Sequence, residues 1–201
     1  MPDPDPGSDR TLPPSPPAFP CVLREGTVAD APAVARLYLA SRRSAYAGLV
    51  PAGVLDAEGA EQELLWTLRL DADYGTPADT PVLLLAEAAP DDGGGGGDGG
   101  DGGDGGDGGD VEGFAYLVPD GGEVRLEQLH VRPSRTGGGI GGRLLRAALE
   151  RFPGAPVRLD VLAANRRAIA FYERHGARRL GRGTAHFPDG TELPQYAYGW
   201  N

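Results

Sequence analysis

Between Val124 and Phe152 the chain changes its hydrophobic period. Val124, Leu126, Gln128 and His130 alternate with Arg125, Glu127, Leu129 and Val131, the two-residue period that sends successive side chains to opposite faces of a strand. Pro133 has no N–H to give and ends the ladder. After the glycines at 137–142, Leu144, Leu145, Ala148, Leu149 and Phe152 recur at helical spacing. The pattern predicts a strand that runs into a glycine turn, and a helix that starts from it.

The same reading extends along the chain. Val22 to Thr27 is a short first strand. Asp30 is placed to cap a helix with Pro32 in its first turn and Val34, Leu37, Tyr38 and Ser41 on its inner side. A second helix is expected over 56–72, anchored by Leu64, Leu65, Trp66 and Leu68. The apolar runs at 82–86 and 111–118 read as buried strands, followed by the strand at 123–132. Beyond the glycine helix, 156–162 is a strand. Asn165 to His175 is a helix, with Gly176 suited to its C-terminal end. Residues 178–187 and 191–199 flank the turn Pro188-Asp189-Gly190. The order β-α-α-β-β-β-α-β-α-β-β predicts an α/β protein, with a mixed α+β sheet and helices on both sides.

Composition sets the limits of the domain. Residues 1–20 are rich in Pro and Asp and read as a disordered tail. Residues 91–110 read DDGGGGGDGGDGGDGGDGGD, a stretch with no apolar residue to bury and with glycine's full ordering cost. It is expected to be a flexible insert within one domain spanning 21–201, because strands flank it on both sides. The repeat lacks the apolar residue per unit that a calcium-binding β-helix needs, so no metal is expected. The net charge of −10 comes mostly from these two stretches. Residues 125–182 hold 13 Arg against four acids, so the half with the glycine turn is basic. That suits a polyphosphorylated ligand, or equally a solvated Arg-rich face. Without a recognition motif it gives nucleic acid little support. The chain contains no lysine, and its one cysteine, Cys21, cannot form an internal disulfide. No apolar run reaches the length of a membrane span, and the N-terminus lacks the apolar segment of a signal peptide. The expectation is a cytoplasmic protein that does not bind membrane.

A glycine turn opening a helix presents free N–H groups, and the helix dipole favours an anion there. Gly137-x-Gly139-x-x-Gly142 matches the dinucleotide fingerprint literally, with Asp160 downstream. In that fold, however, the glycines follow the strand almost at once, whereas here RPSRT intervenes. With no lysine, a Walker loop is excluded.

Leu129-His130-Val131-x-Pro133, followed by Thr136-x-x-Gly139-x-Gly141, resembles the acyl-CoA signature of the GCN5-related N-acetyltransferases (GNAT). Asn165-x-x-Ala168-x-x-Phe171-Tyr172-x-x-x-Gly176-Ala177 is similar to the family's second motif, in the right order and separation. The resemblance covers roughly residues 22–200 and looks like that of the family's small bacterial members. It implies an acetyl-CoA-dependent N-acetyltransferase in which a primary amine attacks the thioester directly, in a ternary complex. The expected acceptor is a small molecule or a peptide amine. A non-catalytic CoA-binding homologue and, more weakly, a dinucleotide-binding oxidoreductase are the alternatives. The family's tendency to dimerise makes a second copy of the chain a candidate partner.

The resemblance also implies roles. Acetyl-CoA would enter a wedge where the strands at 123–132 and 156–162 part. The backbone of Leu129, His130 and Val131 would hold the pantetheine arm. The N–H groups of Gly137, Gly138, Gly139, Ile140, Gly141 and Gly142 would cradle the pyrophosphate. The family usually has Gln or Arg where Thr136 stands, so either Arg135 or Arg143 would substitute for the missing long side chain or affinity would be lower. Asn165 would contact pantetheine, although an Asn at that place is equally a plain helix cap. Tyr172 occupies the proton-donor position. Asp160 or Glu127 would serve as base, unless water alone suffices. Arg42, Arg43 and Tyr46 are candidates for the acceptor pocket. His130, His175 and His186 lack metal-ligand spacing.

Overall fold

The structure is a computed structural model that describes residues 19–56, 61–89 and 110–200. Seven strands form one sheet in the order β1-β2-β3-β4-β5-β7-β6. The strands are β1 (Cys21–Glu25), β2 (Val82–Ala88), β3 (Val111–Asp120), β4 (Glu123–Val131), β5 (Val157–Leu162), β6 (Arg178–His186) and β7 (Glu192–Trp200). Of their pairings, β4 with β5 is parallel and the other five are antiparallel. The helices are α1 (Ala31–Tyr46), α2 (Ala52–Asp56), α3 (Gln62–Asp71), α4 (Ile140–Arg151) and α5 (Arg166–Arg174). The expected tail and insert lie outside the described residues except at their inner ends, Phe19, Pro20 and Asp110.

Each sheet face carries its own core. On one, Ile140, Leu144, Leu145 and Ala148 of α4 and Ile169 of α5 pack on Leu84, Ala115, Leu117, Val124 and Leu126. On the other, Val34, Leu37 and Tyr38 of α1 and Trp66 of α3 pack on Leu83, Leu85, Phe114 and Tyr116. A third cluster joins Val50, Val54 and Leu55 around α2 to Leu162 at the end of β5 and to Phe187 and Leu193 of the β6–β7 hairpin. It fixes the α1–α2 segment against the C-terminal end of β5.

Three details depart from the sequence reading. First, strict alternation along β4 fails. Tyr116 pairs with Gln128 but Leu117 pairs with Leu126, so Glu127 is an extra residue, a β-bulge. Side chains beyond it change faces. Val124, Leu126, Leu129 and Val131 all pack toward α4, while His130 turns to Tyr38 and Phe114 on the α1 side. Gln128 follows His130, its Oε1 2.8 Å from the imidazole. A second bulge makes Glu112 the extra residue of β3, between the pairs Ala86–Gly113 and Glu87–Val111.

Second, the expected helix over 56–72 is shorter, beginning at Gln62, and α2 precedes it. Trp66 anchors α3 with no exposure, but Leu64 and Leu68 are 60 % and 58 % exposed and Leu65 is also exposed. One large ring wedged edge-on among Tyr38, Phe114 and Tyr116 seats the helix, which leaves the leucines outside. Third, Asp30 does not cap α1 with its side chain. It accepts the Thr27 N–H at 2.8 Å and receives Arg24 at 2.7 Å. The hydrogen bond from Arg24 is the main reason its carboxyl sits below the ordinary carboxylate range.

Trp66→Ala is therefore expected to cost about 3–5 kcal/mol of stability, against under about 0.5 for Leu64→Ala or Leu68→Ala. Denaturant unfolding of the three variants checks this. Equal losses would mean that α3 docks through its leucines.

Candidate active site

The parallel pair β4–β5 holds together only at Val124–Val157 and Arg125–Arg158. Beyond that, β5 pairs β7 as far as Leu162–Gln195, while β4 pairs β3 out to Val131–Gly113. The two strands thus diverge, each zipped to its outer neighbour, and their facing backbone edges are left without each other. The gap lies where the sequence reading placed it. Leu129, His130 and Val131 border it on β4, and Asp160 sits on β5.

The glycine turn stands at the end of β4. Pro133 to Arg135 make one 3-10 turn. Gly137 and Gly139 then adopt φ of 89° and 84°, left-handed values that side chains resist. Gly139 is the residue that caps α4. Gly138 N–H donates to the Arg135 carbonyl at 3.3 Å, and Arg143 N–H, at 3.1 Å from Gly139 O, is the first to join the helical ladder. The N–H groups ahead of it, at Ile140, Gly141 and Gly142, have no intrahelical acceptor, and the α4 dipole adds to their positive field.

Gly141 and Gly142 have a further use, because they lie in the first turn of α4 rather than in the loop. A Cβ at Gly141 would touch Phe171 and Val131, and one at Gly142 would press on His175 Nε2. Their bareness lets α5 lie against the start of α4 beside the end of β4. His175 itself is held by Nδ1–H donation to the Phe171 carbonyl at 2.8 Å.

Tyr172 is half-buried on α5, edge-on to Phe171 and Trp200. Burial, and secondarily the nearby Tyr46, push its phenol well above the ordinary tyrosine value, so it keeps its proton. Asn165 caps α5, its Oδ1 accepting from Ala168 N–H at 3.1 Å. Asp160 and Glu127 are both exposed. Asp160 accepts from Arg125 at 3.3 Å, and Glu127 stands close enough to add to the upward shift of the Tyr116 hydroxyl, which burial dominates. Thr136 turns its hydroxyl back to the Pro133 carbonyl at 3.0 Å. The two arginines considered as replacements for a longer side chain are both engaged: Arg135 with Glu112 at 3.2 Å and Arg143 with the Cys21 sulfur at 2.9 Å.

His130 is buried. Nε2 lies 2.8 Å from Gln128 Oε1 and Nδ1 lies 3.0 Å from Ser41 Oγ. The amide oxygen can only accept, so Nε2 carries the hydrogen and Nδ1 accepts from the hydroxyl. Burial, helped by Arg42, lowers its pKa to about 3. A neutral, doubly bonded ring of this kind is a structural part of β4. Its backbone still borders the gap. His186 is exposed and lies 3.1 Å from Glu192. Trp200 donates to the His175 carbonyl at 2.8 Å. Among the described residues no cluster of three His, Cys, Asp or Glu side chains could hold a metal, and no helix is long and apolar enough to cross a membrane.

Sequence reasoning missed two contributors. Phe19 fell in the expected tail, yet its ring lies on Gly138. Glu112 was read as an ordinary strand residue, yet it is buried and paired with Arg132 and Arg135 at 3.2 Å each. The available signal was an acid within the apolar run VEGFAYLV. A cavity of about 480 Å³ opens beside the third cluster, lined by Arg43, Ala47, Gly48, Val50, Ala52 and Leu55.

A family model for the acetyltransferase (GNAT) family matches residues 102–177, which include β3, β4, the glycine turn, α4, β5 and α5. Over that stretch the chain is similar to the GNAT acetyltransferase family. Its mixed sheet and helix order match GNAT structures. The PaiA N-acetyltransferase from Thermoplasma acidophilum, solved with coenzyme A, aligns over 88% of this chain and 98% of its own, at 18% identity and TM-score 0.57. A GCN5-related N-acetyltransferase from Rhodopseudomonas palustris aligns over 89% and 94%, at 21% and 0.63. The ribosomal-protein alanine N-acetyltransferase from Escherichia coli aligns over 89% and 92%, at 16% and 0.60. At these identities the structural likenesses speak for the fold. Comparison with curated protein sequences finds no match. The doubly wound dinucleotide fold is set aside, since it needs a mainly parallel sheet and this sheet has one parallel pair among the described residues.

The buried imidazole gives the domain a pH signature. A histidine that titrates near 6.5 when unfolded and near 3 when folded makes the unfolded chain bind the extra proton between those values. Stability is therefore full above 6.5 and falls as pH drops toward 3. Between pH 7 and pH 5 the contribution is about 2 kcal/mol. In His130→Gln, the loss of unfolding free energy from pH 7 to pH 5 should shrink by that amount relative to wild type. An unchanged loss would show that the ring titrates normally.

Proposed function

We propose that the protein is an acetyl-CoA-dependent N-acetyltransferase acting on a primary amine by direct attack in a ternary complex. The observation that carries this reading is the parting of β4 and β5 beside a glycine turn whose helix begins with unbonded N–H groups. A strand edge without a partner can hydrogen-bond an amide-bearing pantetheine arm as it would a strand. The N–H groups from Gly137 to Gly142, apart from that of Gly138, which the Arg135 carbonyl takes, then face an anion at the end of that arm.

In this reading the thioester lies between β4 and α5. The amine, once neutral, attacks the acetyl carbon and forms the C–N bond. The carbonyl oxygen gathers charge, which a backbone N–H near Leu129 stabilises. When the C–S bond breaks, the thiolate takes the proton of Tyr172. The upward-shifted phenol is reliably protonated for that step. Asn165 retains its amide NH2 for pantetheine, since its oxygen is occupied by the α5 cap. The base that takes the amine's proton is Glu127 or Asp160, directly or through water. Asp160 would first have to be shared with Arg125. The acceptor, a small molecule or peptide amine, would enter from the α1–α2 side, where Tyr46 approaches Tyr172 and the cavity beside Arg43 opens.

A non-catalytic CoA-binding homologue is the second reading. Its support is Thr136, whose short side chain is turned away into its own turn, and the ion pair that occupies Asp160.

Three measurements separate these readings. Acetyl-CoA should raise the melting temperature and NAD(P) should not. With an amine panel and mass detection, Tyr172→Phe should lower kcat about 100-fold or more with little change in the dissociation constant for acetyl-CoA. An active wild type with an equally active Tyr172→Phe would remove the tyrosine from the mechanism. In the pH profile of kcat/KM, the variant of the true base, Glu127→Gln or Asp160→Asn, should lose the rise on the acid side. A residue whose variant keeps that rise is rejected.

A further inference from the structure

Phe19 is joined to the glycine turn through three contacts. Its N–H donates to the Gly138 carbonyl at 3.2 Å. Its ring covers the Cα of Gly138 so closely that any Cβ there would collide with it. The guanidinium of Arg135 lies over the same ring, 4.5 Å from its centre, while its Nε holds the buried Glu112. The segment is anchored behind as well, since the Pro20 carbonyl accepts from Ala89 N–H at 3.2 Å and Cys21 begins β1.

The orientation of one peptide plane follows from this. In a trans peptide the C=O and the following N–H point in opposite directions. A hydrogen bond that draws the Gly138 carbonyl toward Phe19 therefore turns the Gly139 N–H the other way. Glycine would otherwise leave this plane free to rotate. The ring and Arg135 close the Phe19 side, so the plane has one stable setting.

We infer that Phe19 is a positioning residue of the phosphate-binding turn: it sets the 138–139 peptide so that the Gly139 N–H faces the diphosphate of acyl-CoA, and Gly138 is glycine to admit its ring. The inference rests on the acetyl-CoA reading above. It also gives Gly138 a reason other than close approach of the ligand.

The test compares two acyl donors that differ at the phosphate end, acetyl-CoA and S-acetylpantetheine. Phe19→Ala should lower kcat/KM for acetyl-CoA about tenfold relative to S-acetylpantetheine, the scale of one misdirected hydrogen bond to a charged group, and Phe19→Tyr should restore it. General structural damage lowers both donors together and leaves their ratio unchanged, an outcome that overturns the inference. Gly138→Ala supplies the second arm. It should lower the ratio in the wild-type background, by pushing the ring away, and have no further effect on top of Phe19→Ala. A full effect in both backgrounds would mean that the added methyl meets the ligand itself, and would also overturn it. Wild-type protein that is not stabilised by coenzyme A would refute the acetyl-CoA reading instead, so the two failures are distinguishable.

Discussion

The parallel hydrogen bonding between β4 and β5 lasts for two residue pairs, and everything at the candidate site depends on its stopping there. Two strands can diverge within one sheet only if each has a stronger claim on its other side. Here β4 is held along its length by β3, and β5 by β7. The helices maintain the separation. Val131 at the end of β4, Gly141 in the first turn of α4 and Phe171 on α5 meet at the head of the gap, so the strand, the glycine turn and the helix of Tyr172 are positioned as one group.

Charge is distributed around this gap in keeping with the ligand proposed. Glu112 is withdrawn into the sheet and neutralised by Arg132 and Arg135. A buried carboxylate without such partners would be costly, so the two arginines are held as firmly as they hold it. The positive field at the turn then comes from backbone dipoles, and Arg135 contributes from a fixed position.

Much of this was legible in the sequence because it rests on local rules. The change of period at Val131–Ile140 announced the strand, turn and helix, and the spacing from Asn165 to Gly176 announced α5. Bulges are a different matter. A single extra residue leaves no mark in composition, and strict alternation placed Leu129 and Val131 on the wrong side of β4. The one hint was an acid, Glu112, inside the otherwise apolar stretch VEGFAYLV. The leucines of α3 misled for a related reason: periodicity registers apolar residues, and it cannot tell that one tryptophan already fills the space they would need. Phe19 was invisible because its partner is a glycine 119 positions away, and no local pattern spans that distance.

The bulge at Glu127 makes β4 behave like a text with a reading frame. Upstream of it, even-numbered residues point toward α4; downstream, odd-numbered ones do. A β4 with the same nine residues and no bulge would put the imidazole of residue 130 into an aliphatic layer, with Leu129 and Val131 out on the opposite face, whereas deleting Glu127 would leave all four aliphatic residues in phase toward α4. The extra residue is what reconciles this sequence with one aliphatic face, so loss of Glu127 is the length change that face should tolerate.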